Sequence, residues 1–422
     1  MKIWIKNATI ITVNENFDVL KNSHVYIEKN KIVHVGKKIP FVPDKIINAK
    51  NKVVMPGLIN SHTHIAMTLL RNFSDDISLE EWLFKNVFPV EDKLSKEDIY
   101  YGAKIGIIEM IQNGTTAFND MYFFTESIVK AADELKIRAM IGRGMANADQ
   151  NVVEEIYNLV RNNKTELISF NIAPHATYTN NKNGLKLALN LSKELKLPIH
   201  IHLNETKNDS KKCIKDFKKT QLQLLNDLGY LERHLILAHS IWISNADLHL
   251  IENKNVSLVH CPISNAKLAS GIMGVNEYLK RGINVSIGND GPSSNNTLDM
   301  FQEMKFASLV SKLKENNPKG LDARKIIEMA TVNGAKALGY NNLGRIKKDY
   351  LADLIIIDIS NISHTPNNNI VNSIIFSTTG YDVDTTIVNG KILYENKKFK
   401  IINQNEINKT IKIVNSITKK FK

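Results

Sequence analysis

The chain has 422 residues, of which 43% are hydrophobic and 23% charged, and it carries a formal charge of +12. That composition excludes a disordered chain or a collagen-like fibre, and no run of eighteen apolar residues is available to cross a bilayer. The positive charge is scattered, in pairs such as Lys211-Lys212 and Lys218-Lys219. With no basic arm and no basic stripe interleaved with aromatics, neither a nucleic acid nor a membrane is an expected partner.

The two cysteines, Cys213 and Cys261, form no disulfide framework, and the opening residues Met1 to Asn7 lack the apolar core and cleavage site of a signal peptide, so a cytoplasmic protein is expected. The first fifty-odd residues contain β-rich runs, among them Ile3-Trp4-Ile5, Thr9 to Val13, His24 to Ile27 and Ile32 to Val35, separated by Asn, Lys and Gly. From about residue 56 to 344, short apolar runs alternate with amphipathic stretches such as Ile99 to Ile111 and Ser127 to Leu135. Eight candidate strands begin near Val53, Thr115, Arg138, Ile168, Pro198, Leu235, Val256 and Asn284. The fold class predicted is α/β: a (β/α)8 TIM barrel over 56–344, with a small β-sandwich domain built from both chain ends, 1–55 and 345–400. In the second part of that domain, Leu354 to Ile357, Ile374 to Phe376 and Thr386 to Val388 read as strands, the last followed by an Asn389-Gly390 hairpin turn. Residues 401–422 read as a C-terminal helix, with Ile407, Ile411, Val414 and Ile417 at helical spacing.

Chemistry concentrates where the barrel strands stop. Ser61-His62-Thr63-His64 follows the first strand, and alternation puts both imidazoles on one side. The fifth strand ends in His200-Ile201-His202-Leu203-Asn204-Glu205, the sixth in His239 and the eighth in Asp290. Active sites of such barrels gather at this end, and imidazoles with one carboxylate suit Zn2+ with a position left for water. Ferrous iron or Mn2+ satisfies the same ligand types.

Pro56-Gly57-Leu58-Ile59-Asn60-Ser61-His62-Thr63-His64 resembles the opening motif of the amidohydrolase superfamily. The stretches Phe88 to Glu91, Gly114 to Tyr122, Gly142-Arg143-Gly144, Ala173-Pro174-His175, His202 to Thr206, His260 to Gly271 and Asp290 to Asn296 are similar to its deaminase branch acting on 5′-methylthioadenosine and S-adenosylhomocysteine. The resemblance covers essentially the whole chain. It implies His62, His64, His202 and Asp290 as ligands of one divalent metal per subunit, Zn2+ first and Fe2+ or Mn2+ as alternatives. It implies Glu205 as general acid/base and His239 as the group that positions the attacking water, with Asp290 relaying a proton. The implied reaction is hydrolytic deamination of adenine C6, giving the inosine analogue and ammonia, by a homo-oligomer, either dimer or tetramer.

The fourth strand ends Ile172-Ala173-Pro174-His175 with no Lys nearby, which favours a mononuclear site. Glu91 is the candidate for the ribose hydroxyls, Arg143 for the ribose or the nucleoside tail, His175 for another substrate contact, and Trp82 for a pocket wall or simply core. The family has a second tail-binding Arg a little beyond the first, and the segment 147–155 offers none. A neutral adenosine derivative is therefore expected over S-adenosylhomocysteine. Another deaminase of the branch, acting on guanine, cytosine or a triazine, is the alternative. Cys261 reads as a buried structural thiol, and Ser264 and Asn265 as turn-formers that help shape the pocket.

Overall fold

The computed structural model describes residues 1–38, 40–147 and 149–421; Ile39, Ala148 in the shortened segment and Lys422 in the tail lie outside the described residues. Eight parallel strands form the barrel, and we number them β1 (Leu58–Thr63), β2 (Thr115–Tyr122), β3 (Arg138–Met145), β4 (Ile168–Pro174), β5 (Ile199–Leu203), β6 (Leu235–His239), β7 (Val256–His260) and β8 (Asn284–Ile287). They pair in sequence order, and a parallel bridge between Thr63 and Asp290 brings the two ends of the sheet together. Nearly every strand residue is buried, as expected where helices cover one face and side chains fill the other.

A second sheet gathers nine strands from both chain ends. Its order runs Lys398–Phe399, Lys391–Glu395, Val383–Val388, Leu354–Asp358, Lys52–Pro56, Lys2–Ile11, Val19–Glu28 and Lys31–Gly36, with Lys45–Asn48 also pairing Lys2–Ile11. Hydrogen bonding is continuous through the sheet, which carries its own apolar cluster including Ile3, Ile5, Val25, Ile27, Val54, Leu354 and Ile356. The Asn389-Gly390 turn has φ of 49° and 72°, the left-handed pair that a tight hairpin between twisted strands requires.

Two local readings are corrected. Val53 does not begin the first barrel strand: Lys52–Pro56 lies between Leu354–Asp358 and Lys2–Ile11 in the second sheet. The chain changes sheets at Gly57, whose N–H reaches Asp353 O at 3.1 Å while Leu58 N reaches Gly114 O at 3.0 Å. A Cβ at Gly57 would run into the Thr116 side chain, so no larger residue fits the crossing. The run Ile374 to Phe376 is not a strand but part of the helix Ile370–Phe376, capped by Asn369. Its buried residues Val371, Ile374 and Ile375 lie three and four apart, so burial of one helical face overrides the β propensity of the isoleucines.

The tail is helical over Gln404–Thr418 and packs on the barrel helix Lys96–Gln112. Ile407 and Ile417 are buried while Ile411 is exposed, and Lys420 Nζ reaches Asp98 Oδ1 at 3.1 Å, pinning the chain end to the first turn of that helix. Among the described residues, no helix is long and apolar enough to cross a membrane.

Candidate metal centre and active site

The first two candidate ligands owe their placement to an irregularity in β1. Between Asn60 and Thr63 its register against β2 shifts by one residue, and Asn119 Nδ2 donates to the freed Ser61 O at 2.9 Å. A bulge of this kind re-aims side chains at a strand end. His62 and His64 turn into the barrel mouth together with His202 from β5 and Asp290 after β8. One ligand atom from each of these four residues lies within 4.8 Å of all the others. His239 and Asp290 have φ of 68° and 61°, left-handed values uncommon for residues other than glycine. Both sit where a strand breaks off, and the sharp turn keeps each side chain directed at the centre.

Hydrogen bonds fix which nitrogens face inward. His64 Nδ1 lies 2.6 Å from Met121 O, and His202 Nδ1 lies 2.7 Å from His175 O. A carbonyl only accepts, so each Nδ1 carries the proton and each Nε2 presents a lone pair. Those two Nε2 atoms are 3.2 Å apart. Asp290 Oδ1 stands 3.4 Å from His64 Nε2 and 3.2 Å from His62 Nε2. Lone pairs and a carboxylate oxygen crowded together in a buried space repel one another unless a cation lies among them, so the donor set fits a divalent metal. Behind His62, its Nδ1 is 2.9 Å from His200 Nε2, and Asn119 links His200 to Asn171.

The carboxylates differ in charge state. Burial alone would raise the pKa of Asp290, but the His62, His239 and His64 rings hold it well below the usual carboxylate range. Its Oδ2 accepts from Ser264 Oγ at 2.6 Å and Ser294 Oγ at 2.8 Å. Glu205 is also buried, and desolvation pushes it up to about 7 against the opposing pull of His239. Burial disfavours a charged His239, yet Glu205 and Asp290 outweigh it and raise its pKa. His239 Nε2 is 3.9 Å from Glu205 Oε2, and its Nδ1 is 2.9 Å from Asn265 Oδ1. Glu205 thus holds its proton loosely near neutrality, as a group that both takes and gives protons must.

The centre opens into a cavity of about 290 Å³ with apolar walls including Leu79, Trp82, Leu83, Phe88, Phe123 and Leu268. Glu91, Arg143 and His175 also line it. Of the residues singled out from the sequence, His64, His202, Glu205, His239 and Asp290 line the same space, while His62 is fully buried behind it and joins them only through the candidate ligand cluster. Arg143 does not face it freely, because Nε donates to Glu155 Oε2 at 2.6 Å and Nη1 to Gly144 O. Glu91 accepts from the Tyr122 hydroxyl. Tyr122, Glu155 and Ser294 were not among the candidates. Tyr122 ends β2, so the strand-end rule applied to every strand would have found it, whereas the Glu155 contact crosses from a helix and left no spacing signal.

Residues 53–393 match the family model described as the Amidohydrolase family. The chain is 39% identical over 417 residues to the 5-methylthioadenosine/S-adenosylhomocysteine deaminase of Thermoanaerobacter pseudethanolicus, covering 96% of this chain and 97% of the relative. It is 40% identical over 414 residues to the 5′-deoxyadenosine deaminase of Methanosphaera stadtmanae, with 96% of each chain covered. Among solved structures, a zinc-bound adenosine deaminase from Xanthomonas campestris superposes with a TM-score of 0.96 at 29% identity, over 99% of this chain and 98% of that one.

Proposed function

Because the chain belongs to the amidohydrolase family, a metal-dependent family of hydrolases, we propose that it is an aminohydrolase that removes the 6-amino group of an adenosine-type nucleoside, giving the inosine analogue and ammonia. The observation that carries this reading is the buried set of inward-facing His64 and His202 Nε2 atoms beside Asp290, with Glu205 at the same centre. The relatives named above share an adenine amino group in the substrates of their names and differ at the 5′ position. We assign His62, His64, His202 and Asp290 to one divalent metal, Zn2+ in first place, with Fe2+ or Mn2+ compatible with the same ligands.

Such a cation supplies Lewis acidity, making water acidic enough to lose a proton near neutral pH. The remaining work belongs to the chain. Glu205 takes the proton from water and delivers it to purine N1, which makes C6 electrophilic. His239, oriented through Nδ1 by Asn265, directs the water oxygen at C6 through Nε2. As the C6–N bond breaks, Asp290 passes on the remaining proton and ammonia leaves. Glu91 receives the ribose hydroxyls, aligned by Tyr122, while His175 contacts the substrate from the end of β4.

The 5′ group meets apolar walls, and Arg143, the one Arg or Lys lining the cavity among the described residues, is already paired with Glu155. A neutral tail such as a methylthio group is therefore favoured over a charged homocysteine tail. Ammonia release from methylthioadenosine, 5′-deoxyadenosine, adenosine and S-adenosylhomocysteine tests both levels. The neutral nucleosides should lead S-adenosylhomocysteine by about tenfold or more in kcat/KM. A preference for the charged substrate would refute the tail assignment, and turnover of guanine, cytosine or a triazine in place of the nucleosides would refute the substrate class. The same reading makes the enzyme a cytoplasmic homo-oligomer, in keeping with two buried free thiols, and light scattering on the purified protein tests the assembly.

A further inference from the structure

Below the rim of the active site lies a carboxyl group with no part in the proton transfers just described. Glu303, on the helix Met300–Glu315, is fully buried. Among the described residues, no cation is within ion-pair reach of it. Its Oε1 accepts from the Asn295 side-chain amide, and its Oε2 faces the Ile263 N–H at 3.4 Å. A buried carboxyl without a counter-charge is destabilising in itself, and burial pushes this one up to about 8. Its value to the fold must therefore come from what its two oxygens hold.

Those two partners belong to the short helices that follow the last two barrel strands. Ile263 lies in Pro262–Lys267, after β7, and Asn295 ends Pro292–Asn295, after β8. The first of these helices supplies Ser264, which donates to Asp290 Oδ2 at 2.6 Å, and Asn265, whose Oδ1 is 2.9 Å from His239 Nδ1. The second supplies Ser294, which donates to the same Oδ2 at 2.8 Å and stands 3.0 Å from Ser264 Oγ. Asn295 Nδ2 also donates to Asn289 O at 2.7 Å, which fixes the orientation of its amide. One side chain thus grips, from beneath, both segments that orient Asp290 and His239.

We propose that Glu303 is a positioning residue for the deamination: its two carboxyl oxygens clamp the helices after β7 and β8 so that Ser264, Asn265 and Ser294 hold Asp290 and His239 in register with each other. Both contacts require an acceptor, which a carboxyl offers on each oxygen even when protonated, because the hydroxyl oxygen keeps its lone pairs. The isosteric substitution Glu303→Gln leaves one carbonyl oxygen and replaces the other with an N–H group, so either Asn295 or Ile263 would face a donor. A shift of this kind at the reacting groups lowers turnover more than binding.

The test is steady-state kinetics of metal-loaded Glu303→Gln with methylthioadenosine. The proposal rests on the reading of the site above, and turnover by the unaltered enzyme in the same assay separates failure of that reading from failure of this one. We expect kcat to fall by about tenfold to a hundredfold, with KM and metal content close to those of the unaltered enzyme. In a Ser264→Ala/Asn265→Ala/Ser294→Ala background the same substitution should lose most of its effect, because the three side chains it acts through are gone. Asn295→Ala should repeat the split between kcat and KM. Unaltered kcat in both E303Q and N295A, or a loss that multiplies undiminished in the triple-alanine background, would overturn the proposal. Failure of both variants to fold or to retain metal would assign Glu303 to the core alone and overturn it equally.

Discussion

Glu205 gains its chemical usefulness from burial. Desolvation lifts its pKa to about 7, and His239 opposes that lift. A base must be ionised to accept the water proton, so kcat/KM should fall as pH drops through the pKa of Glu205. A cation at the four ligands pulls that pKa down, which places the midpoint of the acid limb at or below about 7. A pH profile of kcat/KM checks the sign, and activity that rises as pH falls from 8 to 6 would contradict it. Glu205→Gln should retain its metal by elemental analysis yet lose about 10² to 10⁴ in kcat. The candidate ligand set and Glu205 were legible in the sequence because each occupies a strand end, where type and position together restrict the role. The partners that tune them were not. Tyr122 on Glu91 and Glu155 on Arg143 are contacts between different elements, and Ser264, read only as a turn-former, gains its meaning from Asp290 Oδ2.

At the level of elements, the site depends on how closely β8 approaches β1. A Cβ added at Gly288 would lie 2.8 Å from His62 O, 2.9 Å from His62 N and 3.0 Å from His62 Cβ. Backbone cannot yield as a flexible side chain can, so Gly288→Ala must push the two strands apart at the point that carries a ligand on each side. We expect this variant to bind metal at least about tenfold more weakly, since ligand placement sets affinity, and to be partly reactivated by excess metal. Full metal occupancy after dialysis would show that the seam tolerates the extra methyl. Alternating strands and helices made the barrel legible, since each unit carries its own periodicity. The handover at Gly57 was not legible, because Val53 to Ile59 is one apolar run whose two halves pair in different sheets. The helix Ile370–Phe376 was hidden by isoleucines that favour strands until their burial at positions three and four apart is seen.

At the scale of the whole molecule, barrel and flanking sheet meet at a buried ion pair. Arg138, the first residue of β3, donates through Nε and Nη2 to the two oxygens of Asp353, at 2.8 and 3.1 Å. Asp353 also accepts from Asn389 N at 2.7 Å, and its backbone carbonyl takes the N–H of Gly57. One residue, through its carboxylate and its backbone carbonyl, thereby joins the N-terminal end of the barrel, the hairpin turn and the sheet crossing. The paired side chains are 3% and 1% exposed, so removing one partner strands a charge away from water. Arg138→Met should destabilise the protein by about 3 to 5 kcal/mol, the usual penalty for an uncompensated buried charge. It should lower the melting temperature by several degrees and leave kcat/KM at 25 °C near that of the unaltered enzyme, because the pair lies at the opposite end of the barrel from the candidate metal ligands. Adding Asp353→Asn should recover part of the loss, since the amide still accepts from Asn389 and no lone charge remains. If Arg138→Met instead abolished activity while the melting temperature held, the flanking sheet would be coupled to the chemistry rather than to the stability of the barrel it caps.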